Sequence, residues 1–239
     1  MRRFSVRREA ALGLGAYAVY LAVRRLVLDE RGRARAEANG GRVVELERRL
    51  GLDVEPRVQA VVLPWRRTLV ALDLAYVTLN VGLTVGWLAV LFRRRDPEFH
   101  RLRRAALLCI VGSSPFFYVF PCAPPRSQDG FVDTVGEVLD LDSGVVVRLY
   151  NPIAAMPSIH LAFAVVTAAG LRSRARSPVV RALALAYPPA VFGTVVATAN
   201  HYVLDGIAGS ALAFGALRLA RARTSSTASC SAWPTGRAR

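Results

Sequence analysis

The 239-residue sequence contains no lysine, three cysteines and three histidines. Its 32 basic residues are therefore all arginines, and with 17 acidic residues they give a formal net charge of +15. The cysteines, at positions 109, 122 and 230, form no CxxC pair, so neither a disulfide framework nor a structural zinc site is supported. Such a charge is common in nucleic-acid-binding proteins. The arginines here flank hydrophobic segments, as at 93–95, so we expect no nucleic-acid partner.

Long apolar segments account for most of the chain, which is 53% hydrophobic. A helix of about 20 apolar residues spans the hydrocarbon core of a bilayer, and only helices or closed barrels satisfy the backbone there. The sequence therefore predicts an all-α fold, a polytopic transmembrane helical bundle. The six predicted spans are residues 10–28, 68–92, 104–120, 156–171, 179–198 and 202–219.

These spans predict three regions. Residues 1–67 combine an N-terminal anchor span with a polar insert, residues 68–220 form the main membrane domain, and residues 221–239 form a disordered tail. The basic start of the first span also fits a signal peptide, but no small-residue cleavage pattern directly follows its apolar run, which favours an uncleaved anchor.

The polar insert contains a candidate amphipathic helix. Val43, Val44, Leu46 and Leu50 recur at helical spacing with charged residues between them. This pattern predicts a helix lying on the membrane interface or on the bundle, and it fits a solvated linker helix equally well.

Arginine counts predict the orientation. Four arginines precede the first span and six lie at 93–104, from the end of the second span to the first residue of the third, whereas the connection between the third and fourth has only Arg126 and Arg148, and the last turn has none. The positive-inside rule then places both termini in the cytoplasm and these last two connections outside. The insert does not follow the rule, because it is rich in arginine. The arginine and alanine bias suggests a GC-rich genome, so we expect a bacterial plasma membrane.

Two of the three histidines begin predicted spans at one membrane face. They are His160 and His201, whereas His100 lies in a basic loop. Ionisable residues in membrane helices are functional candidates. Asp205 follows His201 by four residues, so on a helix the carboxylate would fix the imidazole tautomer and leave the other nitrogen as a nucleophile or base. An ordinary interfacial histidine near an acidic helix start is the alternative.

Two more residues at this face are candidates for binding an anion. Pro157 suits the first helical position and Met156 is no capping residue, so a phosphate would satisfy the first-turn amides, and the Ser158 hydroxyl would also bind that phosphate. Arg126 follows a proline-rich exit from the third span, and its guanidinium suits a phosphate. A helix start that merely contains proline and a snorkelling arginine are the alternatives. The set meets the needs of phosphoryl transfer with no metal and no cofactor.

These residues resemble the type 2 phosphatidic acid phosphatase superfamily, and most closely its inositol phosphorylceramide synthase-like and sphingomyelin synthase-like phosphotransferases. The resemblance covers residues 104–219 and rests on residues 120–126, 157–160 and 201–205. It implies a six-helix bundle, a catalytic role for the region 68–220, a site on the extracytoplasmic side, and a lipid phosphate or phospholipid substrate.

The resemblance also implies residue roles. His201 would attack phosphorus to form a phosphohistidine, Asp205 would orient it, and His160 would protonate the leaving group. The chain departs from the family pattern in lacking its lysine, in having Ile159 for a glycine, and in having Val195 for an arginine.

Two other functions fit parts of the pattern. His160 and His201 could be axial ligands of a haem, or the bundle could be a non-catalytic lipid-binding or scaffold protein. Asp73 is an intramembrane carboxylate without an assigned role. The acceptor, the head group and the oligomeric state stay open.

Overall fold

The computed structural model describes residues 4–138 and 153–229, and within them the fold is helical. The predicted all-α membrane bundle is thereby confirmed. In chain order the helices are α1 (Val6–Val27), α2 (Glu30–Leu50), α3 (Glu55–Val62), α4 (Arg66–Leu74), α5 (Asn80–Arg93), α6 (Glu98–Val119), α7 (Thr134–Val138), α8 (Ile159–Arg174), α9 (Pro178–Ala197) and α10 (Val203–Ser229). A π-helical turn (Ala75–Leu79) joins α4 to α5, and a 3₁₀ turn (Pro125–Ser127) follows α6.

Among the described residues, four helices are long and apolar enough to cross a membrane: α1, α6, α9, and α10 up to Arg221. The pair α4 and α5 passes the same test together, with a 45° bend between them, and makes five. Helix α8 coincides with the predicted fourth span but has 16 residues, fewer than the roughly 20 of a full crossing.

The predicted disordered tail begins inside a helix, because α10 continues to Ser229. The rest of the tail, residues 230–239 with Cys230, lies outside the described residues. So does Arg148, which entered the arginine count for the connection before α8.

The apolar core lies between α5, α6, α8 and α10, with α8 in contact with all three others and with α9. Leu102 on α6 and Ala162 and Val166 on α8 are fully buried in it. His100 also lies on α6 and is buried between the rings of Phe4 and Phe99. The expectation of a solvated loop histidine is wrong, because α6 begins at Glu98 and carries His100 into the bundle.

A glycine lets α8 and α10 approach closely. A side-chain carbon at Gly209 would lie 2.2 Å from the Ser158 carbonyl oxygen, so no larger residue fits there. This contact places the start of α8 against the first turns of α10.

Three connections of the chain meet at one end of the bundle, joined by main-chain hydrogen bonds. The segment after α6 pairs with the segment before α8, through Cys122 N–H to the Ile153 oxygen and Ala155 N–H to the Cys122 oxygen, both at 3.0 Å. Arg126 N–H donates to the Ala199 oxygen at 2.9 Å, which ties in the turn before α10. These are the segments that carry the sequence motifs.

The polar insert covers the same end. The amide of Ala123 donates to the Ala36 oxygen of α2 at 3.0 Å, and Asn39 Nδ2 donates to the Pro121 oxygen at 2.9 Å. Helix α2 ends at Gly51, whose φ of 68° lies in the left-handed region that glycine adopts readily. The insert is therefore packed on the bundle, and the alternative of a solvated linker helix is wrong.

The buried face of α2 differs from the predicted apolar stripe. Leu46 and Leu50 are about half exposed, whereas the buried positions are small or polar. They are Gly32, Ala36, Asn39, Gly40, Val43 and Glu47. Small residues are needed because Gly40 lies directly over the Tyr202 hydroxyl and the Ala123 oxygen.

Candidate active site

The two candidate histidines are in direct contact, and a carboxylate holds one of them. His160 Nδ1 lies 3.2 Å from His201 Nε2, and His201 Nδ1 lies 3.2 Å from Asp205 Oδ2. Asp205 is fully buried and His201 nearly so. A carboxylate on Nδ1 fixes the tautomer that leaves Nε2 with its lone pair. His201 Nε2 then accepts a hydrogen bond from His160 Nδ1–H, which gives a continuous chain from Asp205 to His160.

The contact between His201 and Asp205 forms although His201 lies outside the helix. Helix α10 begins at Val203, two residues later than the predicted helical pair requires. Asp205 is the third residue of the helix, and its Oδ2 also accepts the Tyr202 N–H at 3.1 Å. A third-position side chain that binds the capping residue's amide is one half of a capping box. The Asp205 carboxylate therefore caps the start of α10 and also orients the His201 imidazole.

The turn before His201 has a strained backbone. Ala199 is a buried non-glycine residue with φ of 50°, in the left-handed region that costs an alanine about 1 kcal/mol or more. The amides of Asn200 and His201 both donate to the Val195 oxygen, at 2.9 and 3.2 Å. The chain thus reverses tightly between α9 and α10, which brings His201 back toward α8.

Ser158 is the N-cap of α8, and Pro157 precedes the helix. The Ser158 hydroxyl accepts the Leu161 N–H at 3.3 Å. The Ser158 amide donates to the main-chain carbonyl oxygen of Asp205 at 3.1 Å. The expectation of an uncapped helix start at Met156 and Pro157 is wrong, because the serine itself satisfies a first-turn amide. Ser158 also links α8 to α10, two residues before His160.

Arg126 is buried, and its guanidinium already binds a carboxylate. Its Nη1 donates to both oxygens of Asp133, at 2.8 and 2.9 Å. The Asp133 side chain is 43% exposed, whereas that of Arg126 is 4% exposed. A carboxylate on a buried guanidinium occupies the kind of position that a phosphate oxygen would take.

Tyr76 contacts both imidazoles and was not singled out from the sequence. Its ring centroid lies 4.5 Å from that of His160 and 6.4 Å from that of His201. Asn80, one turn later, donates to the His160 oxygen at 2.7 Å and accepts from the Tyr187 hydroxyl at 2.8 Å. Asp73, Tyr76 and Asn80 are spaced three and four apart on one face of an apolar segment, and this spacing was the available signal.

Asp73 is fully buried and accepts the Thr134 hydroxyl at 3.2 Å. The π-helical turn that bends this span presents Tyr76 to the histidines, as such turns often do at functional sites. The bent span is therefore one wall of the site.

A match to a family sequence model accompanies this geometry. The model describes the PAP2 superfamily and matches residues 41–219, about three quarters of the chain. The chain belongs to the PAP2 superfamily. No curated protein and no solved structure matches it. PAP2 membership supports an integral membrane enzyme with phosphatase-type or phosphotransferase-type chemistry on lipid phosphates.

The PAP2 match begins inside α2, so it includes the C-terminal half of the insert helix as well as the motif segments. The valine that stands where the family pattern has an arginine is also accounted for locally. Val195 is buried with Tyr76 and Leu161 in one apolar cluster, and its main-chain oxygen holds the His201 amide. This PAP2 protein therefore has an apolar wall where the family pattern expects a charge.

The geometry disagrees with a haem between the two histidines. Axial ligands on opposite faces of an iron would place their nitrogens about 4 Å apart, with the macrocycle between the rings. His160 and His201 instead meet nitrogen to nitrogen at 3.2 Å.

Proposed function

We propose that the protein transfers or hydrolyses the phosphoryl or phospho-head group of a membrane lipid through a phosphohistidine on His201. Within the PAP2 superfamily, the motif residues favour the inositol phosphorylceramide synthase-like phosphotransferases over the general phosphatases. The observation that carries this proposal is the hydrogen-bonded chain of Asp205, His201 and His160.

In the first step, His201 Nε2 attacks phosphorus. A P–N bond forms and the P–O bond to the leaving group breaks. His160 enters this step as an imidazolium, which the anionic phosphate stabilises, and its Nδ1 proton, which otherwise points at His201, passes to the leaving oxygen and leaves His160 neutral. Asp205 stabilises the positive charge that develops on His201.

In the second step, a hydroxyl oxygen attacks the phosphohistidine. His160 takes the hydroxyl proton as the P–N bond breaks, which returns both imidazoles to their starting states. Water as the acceptor makes a phosphatase, and a lipid or polyol hydroxyl makes a transferase.

Arg126 and Ser158 complete the proposed phosphate site. Arg126 would exchange Asp133 for the phosphate oxygens, since both are anions suited to the same guanidinium. The Ser158 hydroxyl accepts the Leu161 amide but retains its own proton for donation.

We assign the site to the extracytoplasmic face of a bacterial plasma membrane. The arginine counts of the connections support this side. A cysteine introduced at exposed Arg42, with Cys230 replaced by serine, would react with an impermeant thiol reagent in intact cells. Labelling only after lysis would contradict the assignment.

Trapping the intermediate tests the mechanism. Purified protein incubated with ³²P-labelled phosphatidic acid and quenched in alkali should carry acid-labile label on His201, and His201→Ala should carry none. Label of equal amount in both proteins would contradict the role of His201. No label and no turnover with any lipid phosphate would favour a non-catalytic lipid-binding protein instead.

A further inference from the structure

Two glutamates of the polar insert hold the first turn of α10. Glu47 on α2 accepts the Leu204 N–H at 2.7 Å, and Glu55 on α3 accepts the Val203 N–H at 2.7 Å. The side chains come from residues 157 and 148 positions away in the sequence, and both are almost completely buried, at 1% and 2% exposure.

With Asp205, these glutamates give three successive amides one carboxylate each. The amides are those of Tyr202, Val203 and Leu204. First-turn amides lack partners inside their own helix, but a single nearby serine or asparagine ordinarily suffices to cap them. Burying three acidic side chains costs free energy that an ordinary helix start does not require. Here the three side chains surround the first turn of a helix that begins two residues after His201.

The two glutamates bind adjacent amides, so their carboxyl groups lie close together. Burial, and next the neighbouring Glu55 carboxyl group, raise the pKa of Glu47 to about 9. The other ionisable groups close enough to interact electrostatically with Glu47 are Asp205, Cys122 and Tyr202. At neutral pH Glu47 is therefore protonated, and it still offers a carbonyl oxygen to the Leu204 amide.

The position of His201 depends on this turn. Asp205 Oδ2 binds both the His201 imidazole and the Tyr202 amide, so a shift of the turn moves the carboxylate away from the imidazole. We propose that Glu47 and Glu55 are positioning residues for His201, which they hold through the Leu204 and Val203 amides. The inference rests on the proposed role of His201 as the nucleophile.

Substitutions at Glu47 test the inference, with Glu45 as the matched control. Glu45 lies on the same helix, but its carboxylate is exposed and pairs with Arg48 and Arg49. Glu47→Leu removes the acceptor and should lower kcat about 100-fold with KM changed less than about threefold, because the cost is one of orientation. Glu47→Gln keeps an acceptor and a donor and should restore kcat to within about threefold. Glu45→Gln should match the wild type.

The pH profile gives a readout that a purely structural contact would not change. As Glu47 loses its proton near pH 9, a negative charge appears in the buried space beside the first turn of α10 and wild-type kcat should fall, whereas Glu47→Gln should keep its rate. If Glu47→Leu fails to fold, coinciding profiles of Glu47→Gln and wild type would overturn the inference. A folded Glu47→Leu with the kcat of Glu45→Gln would do the same.

A spectroscopic measurement separates this inference from the proposed function. The proton between His201 Nδ1 and Asp205 is expected downfield in the proton NMR spectrum, assigned by its loss in His201→Ala. Its loss or marked shift in Glu47→Leu would support the positioning role even if no lipid phosphate is turned over. An unchanged resonance in Glu47→Leu would overturn it even if the wild type is an active enzyme.

Discussion

The two ends of the bundle use charged residues differently. At the end away from the site, ion pairs join neighbouring side chains beside the apolar core, namely Arg101 with Glu98, Arg103 with Glu9, and Arg174 with Asp96. At the site end, buried carboxylates bind main-chain amides and an imidazole, as those of Glu47, Glu55 and Asp205 do. The first arrangement joins neighbouring helices or turns through side chains, and the second fixes the first turn of α10 and the His201 imidazole.

Replacing His160 should have the largest effect on activity at the site end of the bundle. His160→Ala removes the proton donor to the leaving oxygen, so kcat should fall on the order of 10³-fold or more for a lipid alkoxide leaving group. A p-nitrophenyl phosphate ester, whose leaving group needs no proton, should lose less than about tenfold. Comparison of the two substrates measures the role directly, and equal losses would contradict it.

Separating Arg126 from Asp133 should change substrate binding in two directions. Arg126→Ala removes a buried guanidinium and should lower kcat/KM about 100-fold. Asp133→Asn weakens the competing carboxylate and should lower KM severalfold, because Arg126 then binds phosphate without displacing an anion. Steady-state kinetics on both variants check this, and a raised KM in Asp133→Asn would show that Asp133 supports the site.

A core substitution at the end away from the site should lower stability and leave kcat unchanged. Leu102 is 1% exposed within the apolar cluster, and Leu102→Ala should lower the free energy of unfolding by about 2–4 kcal/mol through the cavity it leaves. Denaturation in detergent measures the loss. The fraction that remains folded should keep its kcat, because Leu102 packs beside Gly170, about 15 Å along α8 from His160. A large fall in kcat would contradict the division between the two ends.

The smallest expected effect is on the pH dependence of stability. The folded-state pKa of Glu47 is raised from 4.5 to about 9, so between these values the folded protein binds a proton that the unfolded chain releases. Stability from this group is complete below about pH 4.5 and is lost as pH rises toward 9.

Glu47→Gln removes this dependence, so its Tm should exceed that of the wild type by a margin that widens from pH 5 to pH 9. For a chain of this size, each kcal/mol of difference in the free energy of unfolding corresponds to about 2–4 °C in Tm. Differential scanning fluorimetry at four pH values checks the trend. Parallel curves for the two proteins would mean that Glu47 is ionised in the folded state.

The helical bundle could be predicted from the sequence because long apolar segments leave few alternatives in a membrane. The candidate residues could also be named, since His160, His201 and Asp205 are rare ionisable groups at the ends of apolar segments. Local rules failed where a neighbour satisfied the same group, as when Ser158 rather than a phosphate capped α8.

Contacts between distant segments could not be predicted. Glu47 resembles an ordinary charge of an amphipathic helix and Glu55 one more charge of the polar insert, because nothing in a single sequence relates them to amides about 150 residues later. The pairing of Arg126 with Asp133 was hidden for a different reason, because the sequence offers several acids in the same connection. The spacing of Asp73, Tyr76 and Asn80 indicates a polar face, but the contact of Tyr76 with the histidines could not be predicted without the π-helical turn that carries it.

The motif segments are joined to one another through peptide groups at Cys122, Arg126 and Ser158. Peptide groups are common to all residues except for the missing donor of proline, so this framework tolerates exchange of the side chains that project from it. Head-group preference could therefore be altered by local substitution while the imidazole pair keeps its spacing. The same feature makes the chain a practical starting point for engineering a lipid-modifying catalyst with a chosen acceptor.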